Sequence, residues 1–207
     1  MEFNFFAGLD EAGRGPLAGP VSAACVILSP DFPVELLNDS KKLTEKKREK
    51  LLPLIKEKCC WCLAYVEHDE IDRINILQAS LKAMKIAYEG MAKKLPEWCK
   101  ANGIEMIGDV KKIEAMADGT FTPDIDCNVK CEPKADGNYP AVMAASIIAK
   151  VERDHLMIQY DEKYPGYGYA KHKGYPTAAH VEAIRSLGPS PIQRMSFDWN
   201  KEKKKKK

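Results

Sequence analysis

A chain of 207 residues with 45% hydrophobic and 30% charged content, 13 glycines and 13 prolines has the size of one compact unit and a globular composition, which excludes collagenous, disordered and disulfide-framework classes. Its longest apolar runs, residues 21–28 and 141–149, fall far short of the ~20 residues that span a bilayer. The amino terminus MEFNFF has no basic segment before its apolar stretch, so no membrane or secretory address is predicted and a cytoplasmic location is expected. The net charge of +2 hides a division, because the closing KEKKKKK carries +5 and leaves −3 on the remaining residues. Residues 1–200 are expected to form a single domain and 201–207 a disordered lysine-rich tail.

Residues 3–9 and 21–28 are apolar, the second run rich in β-formers, and they flank DEAGRGPLAGP at 10–20. Three glycines and two prolines there exclude a helix and predict strand, turn, strand. Thr44 is an N-cap for a helix through about Lys58, with Pro53 kinking or splitting it. Residues 59–67 read as a strand in which the neighbouring thiols of CCWC face opposite ways. Seven cysteines, an odd number, are read as reduced and buried; Cys59-x-x-Cys62 has the spacing of a zinc pair, but the only further pair is Cys127-x-x-x-Cys131, so a zinc site is not expected. From Leu77 the positions Leu81, Met84, Tyr88 and Met91 predict a helix to Lys94, ending before Pro96. A short apolar segment at 104–107 ends in Gly108-Asp109, residues 111–117 look helical, and 125–131 is a second possible strand. A helix with a broad apolar face follows from Tyr139 to about Tyr160. The loop PGYGYAKHKGYP (165–176), a last helix at 178–187 and an irregular stretch at 190–200 complete the chain. The expected class is α/β, a mixed sheet flanked by helices with a helical carboxyl-terminal region.

Asp10 and Glu11 sit between an apolar strand and a glycine-rich turn, Asp109 repeats that arrangement, and Asp136 lies in a turn before the apolar helix. Singly, each is a turn former or helix-start acid. Together, four carboxylates from strand ends and a helix start can converge and bind hard cations through oxygen, leaving coordination positions for water and phosphate.

The run Gly8-Leu9-Asp10-Glu11-Ala12-Gly13-Arg14-Gly15-Pro16-Leu17-Ala18-Gly19-Pro20-Val21 closely resembles the first motif of bacterial ribonuclease HII. The resemblance continues at Asp39-Ser40-Lys41-Lys42-Leu43-Thr44, at residues 144–151 (AASIIAKV), at His172-Lys173-Gly174-Tyr175 and at Gly188-Pro189-Ser190-Pro191, covering nearly all of the chain in order. It implies a ribonuclease H-like mixed sheet and an endonuclease that cuts RNA paired to DNA. Single ribonucleotides embedded in duplex DNA are included, cut on their 5′ side to leave 3′-hydroxyl and 5′-phosphate ends.

The same resemblance implies two Mg²⁺ or Mn²⁺ ions held by Asp10, Glu11, Asp109 and Asp136. The family usually shows Asp-Gly after the third acid's strand. This chain has Gly108-Asp109 at the apolar segment, and Asp118-Gly119, the rival, follows the helix-like stretch. Gly13, Arg14 and Gly15 are implied to read the 2′-hydroxyl through their backbone, with Tyr175 packing against the sugar; Lys41, Lys42, Ser146 and Lys150 are implied phosphate contacts. At 193–197 the chain has QRMSF where the family usually has His-Arg, leaving the role of residue 193 open. No clear sliding-clamp-binding segment is seen, and a monomer is expected. Two other classes stay open: a hybrid-binding protein with a broken metal site, and a metal-free ribonuclease using histidines, whose spacing gives it no support.

Overall fold

The computed structural model describes residues 5–37, 43–105 and 112–199. Period-two alternation organises its centre. Strand β1 (Phe6–Ala12) runs antiparallel to β2 (Val21–Ile27), with Ala7 opposite Ile27 and Ala12 opposite Ser22. β2 in turn pairs antiparallel with β3 (Cys60–Val66). On its other side β1 pairs in parallel with β4 (Glu114–Asp118), which pairs in parallel with β5 (Asn128–Glu132). The result is a mixed five-stranded sheet of order β3-β2-β1-β4-β5, with β1 at its centre.

The two faces bury different layers. Ala7 and Leu9 of β1, with Ala115 and Ala117 of β4, pack into a core with Ala83, Ala87 and Met91 of α3 (Ile76–Ala101). On the opposite face, Ala24 and Val26 of β2 meet Ala144, Ala145 and Ile148 of α4 (Pro140–Lys163) and Leu52 and Ile55 of α1 (Glu45–Lys58). Helix α2 (His68–Ile74) leads into α3, and two short helices, α5 (Tyr169–His172) and α6 (Ala178–Leu187), follow α4. No helix among the described residues is long and apolar enough to cross a membrane.

Several elements differ from the sequence expectation for identifiable reasons. β1 begins later and runs on through Asp10, Glu11 and Ala12, because the ladder to β2 continues through those residues. Thr44 caps α1 as expected, its side chain accepting from the Lys47 amide, and α1 is a single helix despite Pro53. α3 passes through Pro96 and continues to Ala101, since Leu95 and Cys99 are both buried against the core and outweigh the proline's missing donor. The stretch read as helical at 111–117 holds β4 instead. Met116 faces one core and Ala115 and Ala117 the other, so the run Glu-Ala-Met-Ala-Asp alternates between two buried faces. β5 starts at Asn128 and not at 125. The apolar segment at 104–107 lies largely outside the described residues.

One contact fixes the separation of β1 and α4. A β-carbon on Gly8 would lie 2.1 Å from the Ala141 carbonyl carbon and 2.2 Å from the Val142 nitrogen, both backbone atoms that cannot move aside. Gly8→Ala is therefore expected to lower stability by about 3 kcal/mol or more, read as a shifted urea midpoint. Gly137→Ala, where an added carbon meets nothing within 4 Å, should leave that midpoint almost unchanged.

Candidate active site

Parity and register assemble the acids. Asp10 lies two residues beyond Gly8, so it projects on the same side of β1, toward α4. The parallel register sets Leu9 beside Ala117, which brings Asp10 next to Asp118 at the carboxyl ends of two central strands. Asp136 sits in the single helical turn Ala135–Gly137 immediately before α4. Asp118 Oδ1 accepts a 2.9 Å hydrogen bond from the Ala135 amide, tying that turn to the end of β4. One carboxylate oxygen each from Asp10, Asp118 and Asp136 lie within 4.8 Å of one another. Asp10 and Asp136 are buried and Asp118 is half-buried.

Electrostatics in this cluster is unfavourable to the bare anions. Burial pushes the Asp10 carboxyl well above the usual carboxylate range, and Glu11, Asp118 and Asp136 push it further. Glu11 is also raised by burial, against the opposing pull of Arg14, whose guanidinium lies 3.3 Å from its carboxylate. Three converging oxygen donors form a donor set suited to a hard divalent cation.

A cleft of about 360 Å³ opens beside these acids. Asp10, Glu11 and Asp118 line one side and Gly13, Arg14 and Gly15 another. Ser146 and Lys150, one turn apart on α4, enter from below, and Tyr175 closes the end. Lys150 Nζ is 2.8 Å from Asp154 and stands 5.8 Å from the centre of the Tyr175 ring. The same ring lies 3.5 Å from where a β-carbon on Gly15 would sit.

The structure thus gathers eight of the sequence-predicted site residues around one cleft, with Asp136 beside Asp10 and Asp118 but not among the lining. Among the described residues the third acid brought to the cluster is Asp118, the rival, because the strand that pairs with β1 is 114–118. Asp109, Lys41 and Lys42 lie outside the described residues. Glu11 lines the cleft but is not among the three acids that converge within 4.8 Å.

Sequence reasoning missed Arg48, which reaches the cleft from α1 while donating to the Leu43 carbonyl at 2.7 Å. Nothing in the run EKKREK separates it from its solvated neighbours. It also missed the histidines beneath Tyr175. His172 and His180 stack with ring centres 4.4 Å apart. His172 Nε2 donates to the Tyr167 carbonyl at 2.7 Å and Nδ1 accepts from the Gly174 amide, while His180 Nδ1 donates to the Tyr175 carbonyl at 3.0 Å.

Comparison with known proteins agrees with this arrangement. Residues 7–200 match the family described as Ribonuclease HII. The chain belongs to the ribonuclease HII family. A ribonuclease HII from Treponema denticola is 53% identical over 194 residues, covering 92% of this chain and 96% of the relative. Among solved structures, the ribonuclease H2 of Pyrococcus horikoshii superposes with a TM-score of 0.69 at 26% identity, covering 94% of each chain. The RNase HII in a PCNA complex from Archaeoglobus fulgidus gives 0.62 at 28% identity, covering 92% of each. This ribonuclease HII is accordingly a ribonuclease H, a hydrolase, and its sheet is the ribonuclease H-like one.

The histidine stack gives this family member a pH signature. Burial lowers the proton affinity of both rings, so the folded protein resists protonation that the unfolded chain accepts below about pH 6.5. The stabilisation is complete above that value and is lost as the pH falls toward the lowered folded values. Unfolding midpoints measured between about pH 7.5 and about pH 5.5 are expected to fall with a slope that His180→Asn flattens. An unaltered slope in that variant would remove the stack as its source.

Proposed function

We propose that this ribonuclease HII hydrolyses the RNA strand of RNA/DNA hybrids and cuts on the 5′ side of single ribonucleotides embedded in duplex DNA, leaving 3′-hydroxyl and 5′-phosphate ends. The observation that carries the reading is the meeting of Asp10, Glu11 and Asp118 with the Gly13–Gly15 backbone in one cleft, with Asp136 converging on Asp10 and Asp118. Residues 1–200 would act as one catalytic unit, monomeric and cytoplasmic, with the lysine tail outside it.

Asp10, Glu11, Asp118 and Asp136 would hold two Mg²⁺ or Mn²⁺ ions. When bound, such cations lower the pKa of water and stabilise charge on phosphoryl oxygens. The remaining work falls to the chain. The four acids would place those cations at the carboxyl ends of β1 and β4, beside the cleft. Ser146, Lys150 and Arg48, with Lys41 and Lys42, meet phosphate oxygens without reading sequence. The 13–15 backbone meets the 2′-hydroxyl, which distinguishes the sugars, and Tyr175 packs against the sugar beside the cut.

The deciding assay uses a labelled DNA duplex with one ribonucleotide, beside an all-DNA duplex and a longer hybrid, with Mg²⁺, Mn²⁺ or chelator. Metal-dependent cutting 5′ of the ribonucleotide is expected. Asp10→Asn and Asp118→Asn should each reduce the rate about 100-fold or more while retaining hybrid binding, whereas Asp109→Asn should not. Binding without cutting by the unaltered protein would favour the binding-only class, and cyclic phosphate ends in chelator the histidine class.

Gly15 offers a second test. Its backbone is not in the left-handed region, and an added β-carbon would make only ordinary contact with Tyr175, so the fold itself tolerates alanine there. Gly15→Ala should unfold at the unaltered temperature yet raise KM for the ribonucleotide-containing duplex about tenfold. Unchanged KM would count against close sugar approach at this position.

A further inference from the structure

The turn that faces the cleft is held from behind by a buried cation. Arg194 is fully buried and donates to four carbonyl oxygens: Gly13 at 2.7 Å, Arg14 at 3.1 Å, Pro16 at 2.8 Å and Gly19 at 2.8 Å. Its own amide and the Gln193 side chain both reach the Leu17 carbonyl, at 2.8 and 2.9 Å. A second buried guanidinium, Arg153, takes the carbonyls of Pro20, Ala18 and Lys173 at 2.9, 3.2 and 3.0 Å. Among the described residues neither guanidinium has a carboxylate within ion-pair distance. Burial lowers Arg194 to about 9, with Arg153 adding to the effect.

The two arginines share the far half of the turn, where Arg194 takes the Gly19 carbonyl and Arg153 those of Ala18 and Pro20. Arg194 alone holds the carbonyls of Gly13 and Arg14. A trans peptide carries its N–H opposite its C=O. Drawing the Gly13 and Arg14 carbonyls back toward the guanidinium therefore turns the N–H groups of Arg14 and Gly15 outward, to the side where the cleft lies. Neither of those amides donates to another group among the described residues, whereas the Leu17 and Gly19 amides are spent on Gly174 and Ile192. A guanidinium suits this task because its planar fork offers five donors in fixed directions, whereas an ammonium offers three from one rotatable point.

We propose that Arg194 is a positioning residue: by holding the carbonyls of Gly13 and Arg14 it aims the amides of Arg14 and Gly15 into the cleft, and so sets discrimination between ribose and deoxyribose at the cut. This rests on the reading that the 13–15 backbone senses the 2′-hydroxyl.

The test compares Arg194→Lys with Arg153→Lys, two losses of a buried guanidinium of which one touches the sensing amides. Variants are first matched by thermal unfolding; should Arg194→Lys not fold, the apolar Arg194→Met replaces it. Two quantities are read: competition binding of ribonucleotide-containing against all-DNA duplex, and amide exchange of Arg14 and Gly15 by NMR in the substrate-free protein. Arg194→Lys is expected to reduce the binding preference about tenfold and to shift the Arg14 and Gly15 amides while leaving those of Leu17 and Gly19 in place. Arg153→Lys should keep the preference. Retained preference and unshifted amides in Arg194→Lys, or an equal loss in both variants, would overturn the proposal. An unaltered protein that shows no preference would instead overturn the 2′-hydroxyl reading beneath it, a result distinguishable because it appears without any substitution.

Discussion

The close approach of α4 to β1 at Gly8 is the constraint on which the site depends. With no β-carbon between them, the start of α4 seats directly on the central strand, and small residues along α4 (Ala141, Ala144, Ala145) keep the helix close. The same parity that hides Gly8 under the helix turns Asp10 toward it, and the turn that begins α4 delivers Asp136. A wider spacing, as a larger residue would impose, would separate Asp10 from Asp136 without altering either. The parallel β1–β4 pairing supplies the third acid at the same sheet edge, where strand carboxyl ends in α/β sheets commonly meet ligands.

That concentration of charge is opposed by burial, and the protein leaves the opposition standing. Arg14 compensates Glu11, but the Asp10 carboxyl retains a raised proton affinity. On the other side of the turn the sign is reversed: two buried guanidiniums with lowered proton affinity are satisfied by neutral carbonyls. The Gly13–Pro20 segment thus runs between an acidic cluster and a basic one. Gly13 belongs to both sides, since its positive φ of 98° and the Arg153 guanidinium at 2.1 Å from any β-carbon leave no room for another residue.

Much of this was legible in the sequence. The alternating apolar runs gave β1 and β2 to within a few residues, Thr44 marked the start of α1, and the glycine-rich motif with AASIIAKV marked both family and cleft. What failed did so because local signals lost to tertiary ones. Pro96 argued for a stop that buried Leu95 and Cys99 override. Glu-Ala-Met-Ala-Asp contains good helix formers, and only its pairing beside β1 makes it a strand, so Asp118 was left as the rival to Asp109. Arg48 and His180 carried no readable signal, and Arg194 and His172, although they stand in stretches compared with the family, gave no sign of their partners, because their importance lies in what they touch and not in their spacing.

Arg194 lies 181 residues beyond the Gly13 carbonyl it holds. A chain emerges from the ribosome with its amino terminus first, so the strand bearing Asp10 and Glu11 is exposed long before the guanidinium that orients the adjoining turn has been made. The acid pair of β1 is therefore made while the adjoining turn is still without its backing. The turn cannot take up its held form until the chain has grown 181 residues past Gly13.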